Sequence, residues 1–281
     1  MIDLLTITNA PELAARCDQI AGMRVFVDLE RDGKAERQKG HDTFISTHHV
    51  ADVGRVKAVL NHSSLMVRVN PYQLHNPEIS KNEVNEVLAQ GADLLMLPMF
   101  TEARQVKAFC EMVDGRVPVV LLLETAGALN SLPEWLDTPG IHEVFVGLND
   151  LHLSLGCRFM FEPLLQGHVD RVAEAVKLRG LRFGFGGIAR MNEGVLPGRD
   201  VLGEHLRLGS QAVILSRTFN RPEEKKSFEH AVAALRIAEA ELELRTKQEV
   251  EQDRLRVAGL IASLVDGLRI DSFRESPKVL A

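Results

Sequence analysis

VVLLLET at residues 119–125, followed by VFVGLNDLHLSLG at residues 144–156, sets two carboxylates directly after apolar runs. Runs of that composition are typical of strands buried on both faces, so Glu124 and Asp150 fall where strands emerge from a core. A single acid there is equally readable as the cap of a following helix. Two of them in successive units point instead to a divalent metal held on the rim of a barrel.

Working outward, strand-like runs near residues 4–7, 24–29, 65–69, 94–97, 119–123, 143–146, 182–185 and 212–215 alternate with helical stretches at 12–20, 82–90, 102–112 and 166–178. Such alternation is the signature of a parallel sheet wrapped by helices, and eight strands suit a (β/α)8 TIM barrel better than an open doubly wound sheet. A barrel places its site at the C-terminal strand ends. The charged stretch at 31–50, RDGKAERQKGHDTFISTHHV, is long enough after the second strand to serve as an active-site loop.

Composition narrows the function. The chain has 281 residues, 45% of them hydrophobic, which suffices for a large core. A net charge of −6 and the lack of a basic, aromatic-interleaved stripe argue against nucleic acid. The apolar runs are too short to span a membrane, and residues 1–19 carry neither a basic nor a long apolar leader region, which points to a cytoplasmic protein. Cys17, Cys110 and Cys157 are scattered and indicate neither a disulfide framework nor a zinc site. GFGGI at 184–188 lacks the G-x-G-x-x-G spacing of a dinucleotide fold, so no nucleotide cofactor is expected.

After the barrel at 1–221, residues 222–281 turn to helix formers. Phe228, Val232, Leu235, Ile237, Ala240, Leu242 and Leu244 form one apolar stripe and Val257, Leu260, Ile261, Leu264 and Val265 a second, separated by a polar segment at 247–254. This C-terminal helical extension is expected to pack on, or swap with, a neighbouring subunit of a homo-oligomer.

Polar residues at four strand ends make up the candidate site. Asp28, Glu30 and Arg31 follow the second strand, Arg68 the third, Glu124 the fifth, and Gly147, Leu148, Asn149 and Asp150 the sixth. Carboxylates without His or Cys beside them suit Mg²⁺ or Mn²⁺, with Co²⁺ also admissible, and leave positions open for a chelating 2-oxo acid. Arg68 offers a planar cation for a keto or enolate oxygen, or pairs with Asp28 and Glu30 on the rim. The glycine at 147 and a helix starting near Leu151 would present backbone N–H groups to an anion.

These residues carry a resemblance. PELAARC (11–17), VFVDLE (25–30), VRVN (67–70), GADLLMLPMFTEARQV (91–106), LLLETAGALNSL (121–132), VFVGLNDLHLSLG, GFGGI and LRLGSQAVILSR (206–217), in this order, resemble the metal-dependent pyruvate aldolases of the HpcH/HpaI family, the 4-hydroxy-2-oxoacid aldolases, and their relative, the citrate lyase β-subunit. The resemblance implies a barrel of the phosphoenolpyruvate/pyruvate-binding type and hexamers built from dimers. It implies that Glu124 and Asp150 bind the metal, that Arg68 stabilises a pyruvate enolate, and that Gly147–Asp150 holds the pyruvate carboxylate. The chain also departs from the pattern. Arg31 stands where the aldolases have a histidine that assists proton transfer, Leu122 where they tend to have glutamine, and Met99 where the citrate lyase branch often has lysine. His41, His48 or His49 could take over the proton transfer, with His48 the choice in the catalytic set beside Arg68, Asp28 and Glu30. Arg31 could select an acidic or phosphorylated second substrate.

The expected activity is a carbon–carbon lyase acting on pyruvate or an oxaloacetate-like acid, with an aldehyde or acyl co-substrate. Phosphoenolpyruvate or acyl-CoA chemistry is the enzymatic alternative. A 2-oxo-acid-binding assembly subunit without turnover is the alternative of another class.

Overall fold

In the computed structural model, which describes residues 1–31, 47–221 and 227–274, eight parallel strands form a closed barrel in simple sequential order. They are β1 Asp3–Ile7, β2 Met23–Asp28, β3 Ser64–Arg68, β4 Leu94–Leu97, β5 Val119–Leu123, β6 Ile141–Val146, β7 Arg182–Ile188 and β8 Ala212–Leu215, with β8 pairing back to β1. All eight expected strands are present. His41 and most of the charged loop after β2 lie outside the described residues.

Side chains of each strand alternate between the barrel interior and the surrounding helices. Phe26, Met66, Met96, Val120, Leu122 and Phe145 pack the interior, while Val25, Val27, Val67, Leu121 and Val144 face the helices. Below the apolar interior the barrel floor is ionic. Buried Arg24 donates to both oxygens of the fully buried Glu143 at 3.0–3.1 Å, and Arg182 and Asp3 complete the network. The expected helix at 82–90 begins earlier, at Pro77, a first-turn position where a missing N–H costs nothing.

The C-terminal extension forms helices Ser227–Glu243 and Lys247–Arg274. Thr246 and Glu249 exchange the bonds of a capping box and start the second one afresh. Phe228, Val232, Leu235 and Leu242 are buried, whereas Ile237 and Leu244, expected in the same stripe, are exposed. The second stripe, expected to face a neighbouring subunit, buries Val257, Ile261 and Val265 along a helix that packs on Glu162–Leu165 and Gly198–Leu208 of the same chain. No helix among the described residues is long and apolar enough to cross a membrane.

One buried imidazole ties the outer layer to the barrel. His205, in helix Gly198–Leu208, stacks on Phe185 of β7 with ring centroids 3.8 Å apart, and its Nδ1 lies 2.8 Å from Ser210 Oγ. Burial pushes its pKa down to about 3. The unfolded chain therefore takes up a proton near pH 6.5 that the folded chain refuses. The stability contributed is complete above that pH and is lost as pH falls, by up to about 1.4 kcal/mol per pH unit. In urea melts between pH 7 and 5, the stability gap between wild type and His205→Phe is expected to shift against the wild type at that slope. A gap independent of pH would show that His205 does not titrate in this way.

Candidate active site

On β2, β3, β5 and β6 the inward-facing set Phe26, Met66, Leu122 and Phe145 continues two residues further as Asp28, Arg68, Glu124 and Gly147. Alternation alone thus lifts these four positions to the upper end of the barrel. The β2–β3 register sets Asp28 directly opposite Arg68. Arg68 Nε and Nη2 each donate to the Asp28 carboxylate at 2.8 Å, and Nη1 lies 3.3 Å from Glu30 Oε2. Burial works against the Arg68 charge, but Asp28, Glu30 and Glu124 outweigh it and keep the guanidinium protonated. Of the two roles read from the sequence for Arg68, the geometry shows the pairing on the rim, and the side chain also lines the cavity. Two of its five N–H donors are spent on Asp28.

His48 is buried beside this pair, and its Nδ1 accepts the Asp28 backbone N–H at 3.1 Å. That bond occupies the Nδ1 lone pair and fixes the ring against the Asp28–Arg68 pair. Arg31 is exposed. Its Nη2 donates to His48 O at 2.8 Å and lies 3.2 Å from His49 Nδ1, and Arg31 is not among the residues lining the cavity. Glu30 likewise stays behind Arg68, fully buried and outside that lining. His49 is a surface residue before helix Val50–Lys57.

Across the barrel, Leu123 pairs with Val146, which brings Glu124 and Gly147 side by side. A Cβ at position 147 would stand 2.9 Å from Glu124 Oε2 and 3.0 Å from its Cβ, so only glycine leaves room for the carboxylate. Glu124 Oε1 accepts the Met99 N–H at 3.1 Å. Met99 adopts φ 55°, a left-handed conformation that side chains other than glycine rarely take and that costs about 1–3 kcal/mol. Its contribution comes from the backbone, where the N–H holds one oxygen of the carboxylate. The capping role open to Glu124 in the sequence falls to Thr125, whose Oγ1 accepts from Ala128 N at 3.0 Å.

The helix expected near Leu151 begins at Leu148, which places Asp150 in its first turn. Its first backbone bond runs from Leu151 N to Gly147 O, leaving the N–H groups of Leu148, Asn149 and Asp150 at the open helix end. Burial pushes the Glu124 carboxyl up to about 8; Arg68 opposes that shift, while Glu30 and Asp150 add to it. The acids that act on one another here leave this part of the mouth short of positive charge. No cluster of three or more His, Cys, Asp or Glu able to hold a metal occurs among the described residues.

Asp28, His48, Arg68, Glu124 and the turn Gly147–Asp150 all line one cavity of about 540 Å³. That cavity also runs to strand ends missed in the sequence. Thr8 and Asn9 after β1, Ser216 and Arg217 after β8, and Phe228 of the extension belong to its wall. The signal was the same as elsewhere, polar residues immediately after an apolar run.

Gly147→Ala should therefore displace Glu124 without unfolding the barrel. Calorimetric titration with Mn²⁺ is expected to show affinity about 10- to 100-fold weaker than wild type, at unchanged circular dichroism. Equal affinities would show that this contact does not govern the carboxylate.

No curated protein sequence matches this chain. Several solved structures share its fold. An HpcH/HpaI aldolase/citrate lyase family protein from Burkholderia cenocepacia J2315 does so with a TM-score of 0.58 at 16% identity, over 87% of this chain and 95% of that one. The HpcH/HpaI aldolase from Desulfitobacterium hafniense DCB-2 gives 0.56 at 16%, over 76% and 86%. The citrate lyase β-subunit of M. tuberculosis, complexed with oxaloacetate and magnesium, gives 0.57 at 18%, over 85% and 96%. At such identities the likeness is one of fold. Sequence carries the assignment further: the profile of the HpcH/HpaI aldolase/citrate lyase family matches residues 5–182, a stretch that contains Asp28, Arg68, Glu124 and Asp150, and the chain belongs to that family.

Proposed function

We propose that this protein is a divalent-metal-dependent carbon–carbon lyase that forms a pyruvate-type enolate from a 2-oxo acid, in the retro-aldol or the aldol direction. The observation that carries this reading is the meeting of two buried carboxylates, Glu124 and Asp150, with the Arg68 guanidinium on one cavity. The donor set fits a hard divalent cation. Both groups are oxygen donors, and the raised Glu124 pKa marks a place where a positive charge is what the pocket lacks. Two carboxylates also match the habit of Mg²⁺ to keep positions for water and substrate. Membership of a family of aldolases and lyases, and a neighbour whose structure holds oxaloacetate and magnesium, support the same reading.

When bound to Glu124 and Asp150, the cation would supply Lewis-acid stabilisation of negative charge on the keto oxygen. The remaining work falls to the chain. Arg68, held rigid by Asp28 and Glu30, donates to the enolate oxygen as charge develops there. The first-turn N–H groups of Leu148, Asn149 and Asp150 receive the substrate carboxylate. His48, bound at Nδ1 to the Asp28 N–H, braces the Asp28–Arg68 pair under the substrate. Apolar Leu122, Phe145 and Met96 beneath the site exclude water from the reacting carbon.

Exchange of pyruvate methyl protons with D₂O, followed by NMR, tests the proposal. Wild type with Mg²⁺ or Mn²⁺ is expected to catalyse exchange, EDTA to abolish it, and Arg68→Ala or Glu124→Gln to slow it by about 10²- to 10³-fold. Pyruvate binding without exchange in the wild type would overturn the lyase reading in favour of a binding subunit.

A further inference from the structure

A three-carbon oxo acid fills no more space than about six waters, roughly 180 Å³ at ~30 Å³ each. The cavity measures about 540 Å³, so most of it belongs to something else. Its reactive groups come from β2, β3, β5 and the turn after β6, whereas the surplus volume runs to β1 and β8, across the barrel mouth from Glu124. The wall on that side sets an apolar patch among the polar strand-end residues Thr8, Asn9 and Ser216. Ile7 of β1, Leu13 of the first helix, Ile214 of β8, Phe219 of the turn after it and Phe228 of the C-terminal extension form that patch. Phe219 and Phe228 are each 1% exposed, which makes them a built surface and not side chains stranded in solvent.

Among the described residues, one cation stands beside this apolar patch. Arg217, in the 3-10 turn Arg217–Phe219, lines the cavity, is exposed, and makes no side-chain hydrogen bond or ion pair with any described residue. Arg68, the other arginine lining the cavity, is committed to Asp28 and Glu30. Arg31, expected from the sequence to select an acidic or phosphorylated co-substrate, is tied to His48 and His49 away from the lining. That selecting charge is therefore transferred to the opposite side of the mouth.

Resting on the enolate reading above, we propose that the second reactant is an aldehyde with a bulky apolar body, of aryl size, whose far end carries a carboxylate bound by Arg217. In the condensing direction the enolate carbon bonds to the aldehyde carbon, and the aldehyde oxygen takes up a proton to balance the one lost from the pyruvate methyl group. The retro-aldol reaction reverses both. The body packs between Phe228 and Ile214, and the guanidinium fork of Arg217 pairs with the carboxylate at the cavity rim. Short polar aldehydes leave the apolar patch uncovered and bind poorly.

The test uses the full chain with Mg²⁺ and two arms. In the first, NMR titrations measure binding of 4-(hydroxymethyl)benzoate and benzyl alcohol, which cannot react. Wild type is expected to prefer the carboxylate, and Arg217→Gln to weaken its binding about five- to tenfold until the two probes bind alike. In the second, pyruvate is condensed with 4-carboxybenzaldehyde, benzaldehyde and glycolaldehyde, with KM expected to rise in that order and Arg217→Gln to erase the difference between the first two. Equal binding of both probes to wild type, or a glycolaldehyde KM below that of the aryl aldehydes, would overturn the inference. The binding arm stands even where wild type fails to exchange pyruvate protons, so loss of the enolate reading and loss of this one are told apart.

Discussion

A closed parallel barrel leaves each strand side chain two places to go, and that constraint places everything else in this molecule. Because the alternation is strict, the identity of the residue two positions beyond the apolar layer decides what the mouth contains. Phe26 leads to Asp28, Met66 to Arg68 and Leu122 to Glu124. Insertion of one residue in any of these strands would turn the charged group towards the helices and expose its apolar neighbour to the mouth. At the opposite end the same alternation turns Arg24, two positions before Phe26, onto Glu143. The barrel is thus ionic at both ends and dry between them.

Charges at the two ends are handled differently. On the floor Glu143 is matched by Arg24 and Arg182, and Asp3 matches the surplus cation, so positive and negative groups balance. At the mouth, Arg68 faces Asp28 and Glu30 and feels Glu124 as well, so carboxylates outnumber the guanidinium. Burying unbalanced charge is expensive, and a structure selected for stability alone would neutralise it. Here the imbalance is concentrated on Glu124, which is also held by the strained Met99 backbone and crowded against Gly147. Strain, crowding and a carboxyl held towards its neutral form meet at Glu124, which is what singles it out as a candidate ligand group.

How far the sequence was legible follows from this. The eight strands were readable because their apolar runs are bounded by turn residues, and the position of Asp28, Arg68, Glu124 and Asp150 at the barrel mouth because each follows such a run. Arg31 was misplaced because alternation ends with the strand, and beyond it nothing local says which way a long side chain turns. Thr8, Asn9 and Ser216 passed as turn formers, since small polar residues after a strand serve loops as readily as ligands. For the last helix the stripe Val257, Ile261 and Val265 announced burial, but periodicity names a buried face without naming what covers it.

The extension is joined to the barrel more tightly than a division at residue 221 implies. Its first helix grips the start of β1 through both backbone groups of Ile2: the N–H donates to Glu239 at 2.6 Å, and the carbonyl accepts from Arg236 at 2.7 Å. Glu239 is itself buried, so separating the helix from the barrel would strand a carboxylate and expose Phe228, Val232 and Leu235 together. The half-exposed Arg16–Glu229 pair adds little energy by comparison. The same guanidinium lies 5.6 Å from the centroid of the Phe228 ring, a contact that adds to the packing holding that ring on the cavity wall. The extension therefore holds one end of β1 at its foot and contributes a wall at the mouth, which makes the shape of the cavity inseparable from the folding of the last helices.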